Sequence, residues 1–278
     1  MNRFTLCAFA DEAGASMDEQ IRALNDNRIP MLEIRGVEGR NITELSLDEA
    51  RLLRRRLEDQ GITVWSIGSP CGKIGIAEPF APHLDQFRHT LELAEALGAP
   101  CLRLFSFFLN GEHPADCREE VMERLGCMTE AAKGTGVALC HENEKGIYGD
   151  TAARCADIHR AFPSLKAVFD PANFIQCGQD TMEAWRLLSE HVHYLHIKDC
   201  IAGGRIVPAG RGDGHLAEII AAFGAQGGSV LTLEPHLSVF DGLSSLENGQ
   251  TSEIESAYPT QRAAFDAAAK ALRALLDA

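Results

Sequence analysis

Aromatic platforms are scarce in this sequence: two Trp and three Tyr among 278 residues leave little surface on which exposed bases could stack. Positive charge is scarce as well. Lys and Arg number 26 against 40 Asp and Glu, a formal net charge of −14, so the surface repels nucleic-acid backbones and anionic membranes. Neither nucleic acid nor membrane is expected as a partner. No apolar stretch approaches the ~18 residues of a membrane-spanning helix. The opening MNRFTLCAFADEAG holds no signal-peptide apolar core of useful length. The nine Cys are scattered singly, without a C-x-x-C pair, and Cys7, Cys101 and Cys140 lie inside apolar runs, where a free thiol behaves as a small hydrophobe. That usage fits a reducing compartment, so a cytoplasmic protein is expected. With 45% hydrophobic residues, disordered and low-complexity readings fall away too.

What is present is a rhythm. Short apolar runs recur roughly every 30 residues with helical patterns between them. They are FTLCAFA from Phe4, MLEIR from Met31, ITVWSIG from Ile62, CLRLFSF from Cys101, VALCHEN from Val137, LKAVFD from Leu165, VHYLHIKD from Val192 and VLTLEP from Val230. Near-continuous hydrophobicity without strict alternation suits strands covered on both faces of a parallel sheet. Between them, Ser46 with Glu49 forms a capping box ahead of Leu53 and Leu57, with Gly61 placed to close that helix. Phe80, Leu84, Phe87, Leu91, Ala94 and Leu97 make an apolar stripe ended by Gly98. Val121, Leu125, Met128 and Ala132 repeat the pattern, as do Phe265, Ala268, Leu272 and Leu275. Eight strands alternating with about eight helices, without a linker, predict one (β/α)8 TIM barrel over residues 1–278. A doubly wound open sheet would instead call for a Gly-rich turn after the first strand. Phe9-Ala10-Asp11-Glu12-Ala13-Gly14 has no G-x-G-x-x-G there, which favours the barrel.

Barrel active sites lie at the carboxyl ends of the strands. The fifth run ends His141-Glu142-Asn143-Glu144, the sixth at Asp170, the seventh carries His196 and Asp199, and the eighth ends Glu234-Pro235-His236. The second run adds Glu33 and Arg35. Taken singly, an acidic strand end is more often a helix cap or a loop ion pair. Four consecutive strands delivering a carboxylate or imidazole at one level point to a site instead. Converging carboxylates repel one another unless a cation neutralises them. Three oxygen donors and an imidazole suit one divalent ion, Mn2+ foremost, with Mg2+, Co2+ or Zn2+ as alternatives. Glu142 and Glu234 could then flank a hydroxy-ketone, one removing a proton and the other returning one around an enediolate.

Glu142 in LCHENE, Asp170 in VFDPANF, His196 in LHIKD and Glu234 in LTLEP resemble the sugar phosphate isomerase/epimerase family of the xylose-isomerase-like TIM-barrel superfamily. The resemblance spans essentially the whole chain, VPAGRGDGHL from Val207 included. It implies a metal held by Glu142, Asp170, His196 and Glu234, with the two glutamates as the proton-transfer pair. Glu144 competes with Glu142 for the strand-five place. One departure concerns the position three residues after the strand-six aspartate. Ketose 3-epimerases carry a substrate-holding histidine there, and this chain has Asn173, which can still donate a hydrogen bond to a hydroxyl. Among Arg35, Lys145, Lys198, Arg205 and Arg211, the residues Lys198 and Arg205 are the candidates for a substrate carboxylate or phosphate, with Asn173 beside them. The expected partner is a small sugar-like substrate, and a homo-oligomer is the protein partner to consider. An inosose-type dehydratase would use the same enolising step. An endonuclease IV-like phosphodiesterase would draw on Asp213 and His215, against the acidic charge. The Gly-rich segment 203–212 is either a loop close to the ligand or a turn, and the polar segment 251–259 a lid, a subunit contact or a plain loop.

Overall fold

The computed structural model describes residues 4–240 and 258–277. Of the polar segment 251–259, residues 251–257 lie outside that description. Each apolar run becomes a strand: β1 Thr5–Ala8, β2 Met31–Ile34, β3 Thr63–Ile67, β4 Cys101–Leu104, β5 Ala138–Glu142, β6 Lys166–Phe169, β7 Val192–Ile197 and β8 Val230–Leu233. Every neighbouring pair is parallel, and β1 pairs with both β2 and β8, so the sheet closes on itself. The helices are α1 Met17–Asp26, α2 Leu47–Glu58, α3 Phe80–Leu97, α4 Pro114–Ala131, α5 Ala152–Ala161, α6 Pro171–Gln176, α7 Thr181–Leu188, α8 Leu216–Ala225 and α9 Gln261–Leu276. This is the (β/α)8 barrel, with α6 as a short extra turn after β6. Among the described residues no helix is long and apolar enough to cross a membrane. All nine cysteines are free thiols, and most are buried.

Local signals end the helices as their chemistry requires. Ser46 and Glu49 form the reciprocal capping box of α2, and Gly98, at φ 70°, closes α3 in the left-handed conformation that costs glycine least. Gly61, at φ 72°, closes α2 as expected from its place in the sequence: its amide donates to the Glu58 carbonyl at 2.9 Å and the Ile62 amide to the Leu57 carbonyl at 3.0 Å.

Alternation along the strands sorts the barrel into two environments. Leu6, Leu32, Ile34, Leu102, Leu104, Phe169, Leu195 and Leu231 pack outward into the core shared with the helices. Each such side chain contributes roughly 1.5–3 kcal/mol relative to exposure, so the layer between strands and helices carries the fold. Cys7, Cys101, Cys140, Val168, Tyr194 and Val230 form a separate cluster in the lumen. Two or four residues further along the same strands stand Phe9, Arg103, Glu142, Asp170, His196 and Glu234, all buried. Period-two geometry therefore puts the ionisable residues in the lumen, above an apolar floor.

Candidate metal centre

Glu142 closes β5, Asp170 caps α6, His196 belongs to β7 and Glu234 follows β8. One ligand-type atom from each lies within 4.8 Å of the others, and all four residues are buried. His196 Nδ1 is 3.0 Å from Glu142 Oε1 and 3.1 Å from Glu234 Oε2. Glu142 Oε2 and Asp170 Oδ2 are buried without a well-aligned hydrogen bond, and the charges of Arg103 and Lys198 face them. A buried carboxylate oxygen without a donor is costly unless a cation sits against it. Three carboxylates and an imidazole are the donor set of a hard divalent ion. The donor set fits a metal, which would share Asp170 with Lys198 and Glu142 with Arg103. A second group, Glu12, Glu234 and His236, is equally tight, but the guanidinium of Arg35 already fills it. Arg35 Nη1 is 3.2 Å from Glu234 Oε1 and Nη2 is 3.4 Å from Glu12 Oε1, while Nε and Nη2 bind Asp11 at 2.8 and 3.0 Å.

The electrostatics follow from burial and counter-charge. Burial alone would push the His196 imidazole down, yet Glu142, Glu33 and Glu234 hold its pKa well above the ordinary value. Burial would raise Glu234, but Lys198 and His196 keep it well below the usual carboxylate range. At Asp170 burial prevails and lifts the carboxyl to about 6, although Lys198 pulls the other way. Lys198 Nζ sits 2.8 Å from Asp170 Oδ2 and 3.5 Å from Glu234 Oε2. Arg103 reaches the other side of the cluster, with Nη1 3.1 Å from Glu142 Oε2 and 3.7 Å from Glu234 Oε1.

Neighbouring strands are tied so that these groups stay aimed. The Asn143 side chain accepts from the Asp170 amide at 3.0 Å and donates to the Asp170 carbonyl at 2.9 Å, clamping β6 to β5 at the ligand itself. Asn173 donates to the Asn143 carbonyl at 2.9 Å and approaches Glu142 Oε1 at 3.4 Å. It stands beside the cluster and lines the same cavity, with its amide held by the backbone.

The structure sorts the other candidates. Lys198 and Asn173 line the cavity that opens on Glu142 and Glu234, which holds about 20 Å³ of free space. Arg205 does not line it. It stands in the turn of a small hairpin, Asp199–Cys200 with Ile206–Val207, where its carbonyl accepts the Ile201 amide at 3.0 Å. Glu144 lines the cavity but is paired with Lys73 at 2.9 Å, which leaves the strand-five place in the cluster to Glu142. Asp213 accepts the Ala202 amide, and His215 Nδ1 meets the Thr181 hydroxyl at 2.9 Å, so neither joins the cluster. Arg103, Lys73 and Phe105 line the cavity without having been singled out from sequence. A signal existed for Arg103: one charged residue, at lumen parity, inside the apolar run CLRLF.

The family model for xylose isomerase-like TIM barrels matches residues 31–276. The chain belongs to that family. Solved structures similar to this xylose isomerase-like barrel include an L-ribulose 3-epimerase, 20% identical over 100% of this chain and 95% of that one, with a TM-score of 0.76. The IolI protein, described with a binding zinc atom, is 15% identical over 99% and 98% of the two chains, at a TM-score of 0.74. AsbF of Bacillus anthracis, a probable 3-DHS dehydratase, is 15% identical over 98% of each chain, at 0.72. At these identities the likeness is one of fold. No curated protein matches the sequence.

Proposed function

We propose that this xylose isomerase-like barrel is a divalent-metal-dependent isomerase or epimerase of a sugar, sugar phosphate or related keto-polyol. The observation that supports it is the convergence of Glu142, Asp170, His196 and Glu234 within 4.8 Å at the carboxyl end of the barrel. These four residues would hold the ion, Mn2+ foremost. When bound, it supplies Lewis acidity toward the oxygens of a hydroxy-ketone and so acidifies the C–H bond between them. Glu142 and Glu234 come from strands on different sides of the lumen, and both touch His196 Nδ1 and Arg103. One takes the proton from carbon and the other returns one, as general base and general acid. Lys198 offers a donor to substrate oxygens from the cavity wall, and Asn173 has that role only if its amide leaves the Asn143 carbonyl. Arg205 has that role only for a substrate group that reaches the hairpin. The proposed partner is a small molecule, with neither nucleic acid nor membrane involved.

The test is solvent deuterium exchange across a panel of ketoses and cyclitols, with the chain chelated and then reloaded with Mn2+. We expect exchange with Mn2+ only, and its loss in Glu142→Gln and in Glu234→Gln while the fold is retained. Exchange that persists in either variant removes that glutamate from the mechanism. Expulsion of water from a substrate, instead of exchange, makes the enzyme a dehydratase.

A further inference from the structure

We propose that Glu33 is a positioning residue that decides which nitrogen of His196 faces the carboxylate cluster. The inference rests on reading that cluster as a metal centre. From sequence Glu33 would stand at the rim beside Arg35. The structure instead places it wholly inside the barrel, on the side of His196 away from the cluster. Its Oε2 lies 3.2 Å from His196 Nε2, and its Oε1 accepts the Tyr194 hydroxyl at 2.8 Å. That hydroxyl is also 3.2 Å from Ser66 Oγ, so β2, β3 and β7 are joined through one carboxylate and one phenol. The Phe9 ring stands edge-on to the imidazole at 5.3 Å and restricts its plane.

An ionised carboxylate only accepts, so Nε2 opposite Glu33 carries a hydrogen. In the neutral imidazole the lone pair is then on Nδ1, the atom that lies 3.0 and 3.1 Å from Glu142 and Glu234. With the opposite tautomer an N–H would point at the place of the cation. The charge of Glu33 acts in the same direction, since a carboxylate behind an imidazole makes its other nitrogen a stronger donor. Tyr194 is one step further removed: it holds Glu33 by its other oxygen and touches no ligand-type oxygen of the cluster.

The experiment is calorimetric titration of the full chain with Zn2+, which is diamagnetic, together with nitrogen NMR of 15N-histidine protein, in the unaltered chain and in Glu33→Gln, Glu33→Ala and Tyr194→Phe. With Zn2+ bound, we expect His196 to carry its proton on Nε2 and to meet the ion through Nδ1. Both Glu33 variants should weaken Zn2+ binding by about 10–100-fold, the usual effect of losing such a partner, and Tyr194→Phe by less than Glu33→Ala. Glu33→Gln is isosteric, and a melting curve identifies any variant that fails to fold. Zinc affinity and His196 tautomer unchanged in both Glu33 variants would overturn this inference alone. A chain that takes up no zinc at His196 overturns the metal-centre reading and this inference with it.

Discussion

Lys198 and a divalent ion are drawn to the same oxygens. The ammonium lies 2.8 Å from Asp170 Oδ2 and 3.5 Å from Glu234 Oε2, and both carboxylates belong to the cluster. Two unit charges 4 Å apart interact by about 4 kcal/mol at an effective dielectric near 20, so a cation entering the cluster is opposed by the ammonium unless the side chain turns aside. Lys198→Met removes that opposition and leaves three buried carboxylates with one fewer counter-charge. Mn2+ affinity, read by calorimetry near neutral pH, should tighten by about tenfold or more, since each tenfold is about 1.4 kcal/mol. Weaker binding in the variant would mean that Lys198 supports the ligand set instead of competing for it. The four ligand-type residues were legible because each ends or closes an apolar run, where parity and level follow from counting. Asn143 and Lys73 were not, because their roles depend on which loop folds over which strand. Glu33 was visible as a residue, but its depth was not, since a strand end and a lumen-facing position look alike in one dimension.

A loop shows the same limit at the level of an element. Residues 203–212 read from sequence as glycine-rich, either a loop close to the ligand or a turn. The structure wraps them around Asp199, whose carboxylate accepts the amides of Gly210 and Gly212 at 2.9 Å and of Gly214 at 3.1 Å. A Cβ on Gly212 would fall 2.3 Å from Asp199 Oδ1 and 2.5 Å from the Cys200 carbonyl, too close for either to remain. Hydrogen bonds to a charged group are worth roughly 1.5–3 kcal/mol each. Gly212→Ala should therefore cost at least about 2 kcal/mol, read as a lower urea midpoint with unchanged slope. Gly212 itself has no positive φ, so the loss reports the clash with Asp199 and Cys200 and not backbone strain. Unchanged stability in Gly212→Ala would show that the loop shifts without cost and that the Asp199 wrap does not depend on this glycine. The eight strands and the capped helices were predictable because burial on both faces and cap chemistry are local. Closure of the sheet, the extra turn α6 and the Asp199 hairpin depend on contacts between distant segments, which periodicity does not encode.

For the whole molecule, acid sensitivity is set largely by histidines buried away from the cavity. His83 Nε2 accepts the Gly72 amide at 2.7 Å, which requires the neutral ring. His159 Nδ1 lies 3.0 Å from the Leu165 carbonyl, its Nε2 is buried without a partner, and its ring stacks on His191 with centroids 4.8 Å apart. Burial pushes His83 and His159 down to about 4 and His141 well below the ordinary value. An unfolded histidine titrates near 6.5, so below that pH the unfolded chain binds protons that the folded chain refuses. The stability these three groups contribute is complete above pH ~6.5 and is lost as pH falls toward ~4, each by at most about 1.4 kcal/mol per pH unit. Glu49, held at about 2 by the Ser46 cap and Arg40, acts in the same sense lower down. Asp170, raised by burial to about 6, opposes it. Urea midpoints should fall between pH ~6.5 and ~5, below the range in which the raised His196 acts in the opposite sense. His83→Gln keeps an acceptor for the Gly72 amide without a titrating ring, so its slope should be shallower by about one proton. If wild type and His83→Gln lose stability in parallel across that range, His83 takes up its proton in the folded chain at no cost, and its burial as a neutral acceptor is wrong.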